Sequence, residues 1–183
     1  MVQTHVEKAE IVVLGQLENN SVFDTRDLIA FVIYVPNHVF LVKVCHQDMH
    51  KKATQKLFLA LENVDLYVFF GSLTVKHTKR IVGSFAPKRC VDHGQLAKLV
   101  GINYDMNSLA QSVLNEDFCR RTMASPRESF FSSLAKKHII IRFRLLHHFA
   151  SQFHRTNTWK KAHEATNEVV LGKASRDRFF KKK

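Results

Sequence analysis

The chain has 183 residues, with 28 Lys and Arg against 16 Asp and Glu, 45% hydrophobic residues, 6 Gly and 3 Pro. Those values fit one globular domain and exclude a chain disordered throughout, a collagen-like repeat or a low-complexity polymer. No apolar run reaches membrane-spanning length, and Glu7, Lys8, Glu10 and Glu18 exclude a secretory signal. The three cysteines, Cys45, Cys90 and Cys119, are widely spaced and odd in number, which fits neither a disulfide framework nor a zinc module. The expectation is an intracellular protein, nuclear or cytoplasmic, with reduced thiols and no membrane contact.

Taken in chain order, Glu10 to Leu17 (EIVVLGQL) reads as a buried strand. Leu28 to Val35 (LIAFVIYV) reads as a second, ended by the Pro36-Asn37 turn, and Val39 to Cys45 (VFLVKVC) as a third. Connections this short predict an antiparallel meander. The period then changes, and Lys52 to Leu61 places Ala53, Leu57, Ala60 and Leu61 on one helical face. Leu66 to Phe70 is a fourth strand, Thr74 to Val82 a helix, and Cys90-Val91 a short fifth strand. Leu96, Leu99 and Val100 lie on a helix that Gly101 stops; Leu109, Val113 and Leu114 lie on the next, capped by Asn107 or Ser108.

Ser125-Pro126-Arg127-Glu128 has the form of a helix start. Beyond it two periods compete. Phe130, Leu134, Leu145, Phe149 and Phe153 recur at helical spacing, whereas Ile139, Ile141, Phe143 and Leu145 alternate with Ile140, Arg142 and Arg144 as in a strand. A last helix runs from about Trp159. With a right-handed crossover from the meander into the fourth strand, this order predicts a single α/β domain over residues 1–183. Its mixed five-stranded sheet has three antiparallel strands, then parallel ones, with helices on both faces. The strand from residue 11 is central, flanked by those from residues 28 and 66. This is the element order of the ribonuclease H-like fold.

The charge is unevenly placed. Residues 1–119 carry 12 Lys and Arg and 12 Asp and Glu, whereas residues 120–183 carry 16 against only Glu128, Glu164, Glu168 and Asp177. The whole excess of +12 therefore falls in the last third, which points to a polyanion partner and first of all to nucleic acid. Arg142, Arg144, Lys160 and Lys161 interleave there with Phe143, Phe149, Phe153 and Trp159. Cations beside aromatic rings can hold a single strand by charge and stacking; the competing reading buries the rings as core and leaves the cations at the rim.

Two segments carry a family resemblance. Residues 90–102 (CVDHGQLAKLVGI) followed by 107–114 (NSLAQSVL), together with 57–71 (LFLALENVDLYVFFG), resemble the DEDD-type 3′–5′ exonucleases, with the Werner-helicase and ribonuclease D branches most alike. The resemblance implies a two-metal site. Four carboxylates in such enzymes hold two Mg²⁺ or Mn²⁺ ions about 4 Å apart around the scissile phosphate. The first motif, Asp-x-Glu at the end of the first strand, reads here Gln16-Leu17-Glu18, so Glu18 alone remains. The second acid, on the helix after the fourth strand, falls at Lys76, and the third motif, Tyr-x-x-x-Asp on the last helix, falls at Leu171 to Ser175. Relative to the family the chain also carries a basic, Phe-rich insertion at about 121–154.

The expected protein is therefore a degenerate, non-catalytic exonuclease-like domain without a metal or other cofactor. It binds DNA or RNA without sequence preference through Lys76, Arg142, Arg144, Lys160 and Lys161. Two rivals stand beside it. One is an active Mg²⁺- or Mn²⁺-dependent 3′–5′ exonuclease whose ligands are Asp24, Asp27, Asp92 and Asp177. The other is a protein-interaction scaffold with a protein partner, built on the same fold.

Overall fold

The computed structural model describes residues 1–18, 28–44, 52–69, 71–114 and 133–170. A short helix α1 (Val2–Lys8) precedes the meander β1 (Ile11–Glu18), β2 (Leu28–Val35) and β3 (His38–Lys43). Then come α2 (Lys52–Glu62), β4 (Asp65–Val68), α3 (Gly71–Val82), β5 (Arg89–Asp92), α4 (His93–Leu99), α5 (Met106–Leu114), α6 (Ser133–Phe153) and α7 (Asn157–Val170). The strands lie in the order β3-β2-β1-β4-β5. β1 pairs antiparallel with β2 and parallel with β4, which pairs parallel with β5. The predicted mixed sheet is present, with β1 at its centre.

Burial explains that order. Val12, Val13 and Leu14 are all 0% exposed, and so are Leu66, Tyr67 and Val68. Runs apolar on both faces need cover on both faces, which only central strands receive. On one face Val12, Leu14, Phe31, Ile33 and Leu66 pack against Val6 of α1, Leu57, Phe58 and Leu61 of α2, and Val75 and Ile81 of α3. On the other, Val13, Val32, Tyr67 and Val91 pack against Leu96 of α4, Leu109 of α5, Phe143, Leu146 and Phe149 of α6, and Ala162 of α7. Each such side chain contributes about 1.5–3 kcal/mol on leaving water.

The structure resolves the competing periods in favour of helix. α6 runs unbroken through Ile139–Leu145, and it buries Phe143, Leu145, Leu146, Phe149 and Ala150 on the sheet. The cap of α5 is Asp105, whose carboxylate accepts the Ser108 backbone N–H at 2.9 Å and the Ser108 hydroxyl at 2.6 Å, in place of the expected Asn107 or Ser108. Ala53 is exposed, and Phe58 takes its expected place on the buried face of α2. The helix start at Ser125–Glu128 lies outside the described residues.

Two buried polar devices hold α6 and α7 in place. At the amino ends of the parallel strands Asp65, 4% exposed, pairs with Arg89 and lies 3.5 Å from both Arg155 Nη2 and His154 Nε2. The Tyr67 hydroxyl lies in hydrogen-bond contact with His154 Nδ1 at 3.0 Å. Burial raises the Tyr67 pKa and lowers that of His154. This pins the α6–α7 turn, where Arg155 has a φ of 58°. At the opposite ends His93, 0% exposed, sets Nδ1 3.1 Å from the Val68 carbonyl and Nε2 3.0 Å from the Leu146 carbonyl, joining β4 to α6.

Two outcomes are expected. Gly15 of β1 lies directly under the Phe143 ring, and a Cβ there would come within 2.8 Å of Cε1. Gly15→Ala should cost about 1–3 kcal/mol by overpacking. In a double-mutant cycle with Phe143→Leu the two losses should be clearly less than additive in urea unfolding, since the smaller side chain vacates the space. Additive losses would show that this close approach does not carry the cost.

The second outcome concerns pH. Burial lowers the pKa of His93, His147 and His154 below the ordinary histidine value of 6.5. As pH falls, the unfolded chain therefore takes up protons first. Stability is complete above about pH 6.5 and is lost as pH falls through the histidine range, by up to about 1.4 kcal/mol per pH unit for each group. The urea midpoint should be lower at pH 5.5 than at pH 7.5; a midpoint that held or rose would contradict the assignment.

Candidate functional site

In open α/β sheets the crevice for a ligand lies outside the carboxyl ends of the parallel strands. Here β1 ends in Gln16-Leu17-Glu18, and the chain leaves β4 through Phe69, whose N–H donates to the Leu14 carbonyl at 3.0 Å. α3 begins almost at once. The Thr74 hydroxyl donates back to the Phe69 carbonyl, and that of Thr78 to the Thr74 carbonyl at 2.7 Å. Thr74, Val75, His77, Thr78 and Ile81 are thereby buried, while Lys76, Lys79 and Arg80 are exposed.

This orientation decides which residue meets the first motif. His77 Nδ1 lies 3.2 Å from Gln16 Oε1 and, as N–H, donates to it. Burial first, then the positive charges of Arg80 and Lys76, lower the His77 pKa and keep the ring neutral. Lys76, expected at the second motif position, points to solvent instead, because one residue turns a helical side chain by about 100°. Counting from His77, the positions one and four residues on are Thr78 and Ile81, both buried; counting from Lys76 they are His77 and the exposed Arg80. That periodicity was the available signal.

Glu18 is the last residue of β1 and pairs with Leu28 after a register shift between Leu17 and Glu18; its side chain lies outside the described residues. Ser175 also lies outside them. Within the described part of α7, His163 and Asn167 repeat the four-residue spacing of the third motif. The Asn167 amide nitrogen lies 3.3 Å from both ring nitrogens of His163, and its Oδ1 is buried without a hydrogen-bond partner. α7 packs against β5, α4 and α3. Next to Asn167, the Thr166 hydroxyl accepts the Asp92 backbone N–H at 2.9 Å. The Asp92 carboxylate accepts from the N–H groups of Gly94 at 2.6 Å and Gln95 at 3.1 Å, which caps α4.

Among the described residues, Gln16 and His77, which meet at this end, do not suit the metals implied by the resemblance. Mg²⁺ and Mn²⁺ take hard, anionic oxygen ligands. Gln16 brings a neutral amide already engaged by His77, and His77 brings an imidazole nitrogen. Among the described residues no three His, Cys, Asp or Glu side chains gather in a metal-binding group.

The basic residues separate by exposure. Arg144, Lys160 and Lys161 are exposed, as are Lys137 and Arg155. Arg142 is half-buried, with its guanidinium carbon 4.2 Å from the centre of the Phe69 ring. The rings considered as base-stacking platforms are largely core: Phe143 and Phe149 are buried, and Phe153 and Trp159 pack partly against them. Trp159 stacks on His163 at 5.3 Å.

No protein-family model and no curated protein matches the chain in sequence. Solved structures do match in shape. Brucella melitensis NrnC bound to pGG superposes with a TM-score of 0.60 at 12% identity, over 95% of this chain and 87% of that one. The Aedes aegypti Nibbler EXO domain gives 0.58 at 10% identity, over 92% and 89%. Escherichia coli RNase D, an exoribonuclease involved in structured RNA processing, gives 0.52 at 12% identity, over 92% of this chain and 48% of its own. Against RNase D the chain thus spans about half the length. Among the described residues no helix is long and apolar enough to cross a membrane. With the sheet order, the crossover and these superpositions in agreement, the chain has the ribonuclease H-like fold of the DEDD-type 3′–5′ exonuclease domains.

Proposed function

We propose that this chain is a non-catalytic module of the exonuclease fold that binds nucleic acid. The observation carrying the reading is the Gln16–His77 hydrogen bond, an amide and a neutral imidazole at the end of the sheet where a two-metal nuclease needs carboxylates. Both replacements remove negative charge. Metal-free, the cleft no longer has to concentrate cations, and it no longer repels phosphate.

What remains is cationic. Lys76, Lys79 and Arg80 line the exposed face of α3 beside His77; Arg144 on α6 and Lys160 and Lys161 on α7 are exposed as well. Lysines and arginines of this kind read phosphates, not base edges, so affinity is modest, salt-dependent and nearly indifferent to sequence. The partner is DNA or RNA.

The test uses the full chain with single-stranded and recessed-end DNA and RNA, in Mg²⁺ and in Mn²⁺. Retardation at low salt without shortening is expected. Metal-dependent loss of 3′ nucleotides that Glu18→Gln abolishes would show an active nuclease instead. Charge reversal at Arg144, Lys160 and Lys161 should weaken binding at least tenfold. It should also flatten the slope of log affinity against log salt by about 0.7–0.9 for each phosphate left without its cation. Binding that ignores those reversals, or no binding at low salt, would favour a protein-interaction scaffold.

A further inference from the structure

Arg142 is the most buried arginine of the described fold, since Arg80, Arg89, Arg144 and Arg155 are exposed. Arg89 and Arg155 both reach the Asp65 carboxylate. Arg142 lies within ion-pair distance of no carboxylate among the described residues, and its Nε is buried without a hydrogen-bond partner. Its guanidinium is held over the Phe69 ring, and the Phe69 and Tyr104 rings lie 5.6 Å apart. Burial lowers the Arg142 pKa, and the neighbouring Tyr104 opposes that effect. A half-buried cation with no carboxylate partner among the described residues is costly to keep, and its contact with the ring offsets only part of that cost.

Its position is also specific. Phe69 is the first residue beyond β4, so the guanidinium sits at the carboxyl ends of the parallel strands. The next residue, Phe143, packs on Gly15, immediately before Gln16. Arg142 thus approaches this end of the sheet from the α6 side, while His77 approaches from the α3 side.

We propose that Arg142, stacked on Phe69 beside Tyr104, is an anion site that takes one phosphate group of a nucleic-acid strand crossing the carboxyl ends of β1 and β4. The inference rests on the nucleic-acid reading above and deepens it by naming the residue that fixes the strand. The contact with Phe69 holds the guanidinium at the rim before any ligand arrives. Its terminal nitrogens then form a fork matched to two phosphate oxygens, a geometry that a lysine ammonium cannot copy. The exposed lysines of α7 supply attraction at a distance, and Arg142 supplies register.

The experiment compares the full chain with its Arg142→Gln and Arg142→Lys variants, after circular dichroism has shown that each is folded. The probes are inorganic phosphate and a single-stranded oligonucleotide. Phosphate should raise the melting temperature of the parent chain above that in chloride at equal ionic strength, and this increment should vanish in Arg142→Gln. Oligonucleotide affinity should fall at least tenfold in Arg142→Gln, with the salt slope reduced by about 0.7, the single-strand value for one phosphate. In Arg142→Lys, which retains the charge, affinity should fall while the slope holds. Lys161→Gln, as a control, should reduce the slope and leave the phosphate increment intact.

If the parent chain binds oligonucleotide and both variants bind it equally well, the Arg142 site is wrong and the nucleic-acid reading stands. If no oligonucleotide binds but an acidic peptide does, and Arg142→Gln abolishes it, the phosphate assignment is overturned in favour of a protein carboxylate.

Discussion

Everything in this fold is arranged around a strand that has no free face. Val12, Val13 and Leu14 of β1 are fully withdrawn from water, so the sheet must grow on both sides of β1 and helices must cover it above and below. The antiparallel meander supplies one side and the parallel β4–β5 pair the other. Only past Leu14 does the strand regain polarity, through Gln16, and by then it has reached the carboxyl end of the sheet. The same packing that stabilises the domain therefore delivers the polar residues to one rim. Phe143 reinforces this by occupying the space above Gly15, which places α6 at the rim as well.

The distribution of polar groups differs sharply between the two ends of the parallel strands. At the amino ends, charges of both signs meet: Asp65 and Glu10 with Arg89, Arg155 and His154. Those groups neutralise one another and act as a clamp on the α6–α7 turn. At the carboxyl ends, the carboxylate of Asp92 is taken up by the first turn of α4, and Gln16 and His77 are neutral. Arg142 and the exposed cations of α3 are left without comparable acidic company among the described residues. Among the described residues, one end of the sheet is balanced by opposite charges and the other is not.

The sheet was legible in the sequence because its central strands are apolar on both sides and its turn residues are unambiguous. β1, β2 and β4 could be read directly, and their neighbours followed from the short connections. α1 was not legible: VQTHVEK offers one buried anchor, Val6, with only Val2 one turn before it on the same face, too short a repeat to mark a helix. In α6 the difficulty was the reverse. Apolar residues fall on so much of the helix surface that a strand-like alternation is embedded in a helical period. The candidate site was legible only in part, since Gln16 lies where the strand reading put it. A shift of one residue separated Lys76 from His77; the period through Thr78 and Ile81 pointed to His77, and their burial decides between the two. The aromatic residues of the basic third could not be apportioned between core and surface without knowing which side of α6 meets the sheet.

His93 carries a further consequence. A neutral imidazole has one N–H to offer, and both of its ring nitrogens face carbonyl oxygens, one on β4 and one on α6. The ring is shut off from water, so its proton exchanges with solvent only when α6 lifts from the sheet. Its nuclear magnetic resonance line is therefore a built-in gauge of that opening. Because Arg142 lies one turn of α6 before the bonded Leu146 carbonyl, the gauge reports on the segment that borders the rim. Ligand occupancy there should be readable at a single buried atom.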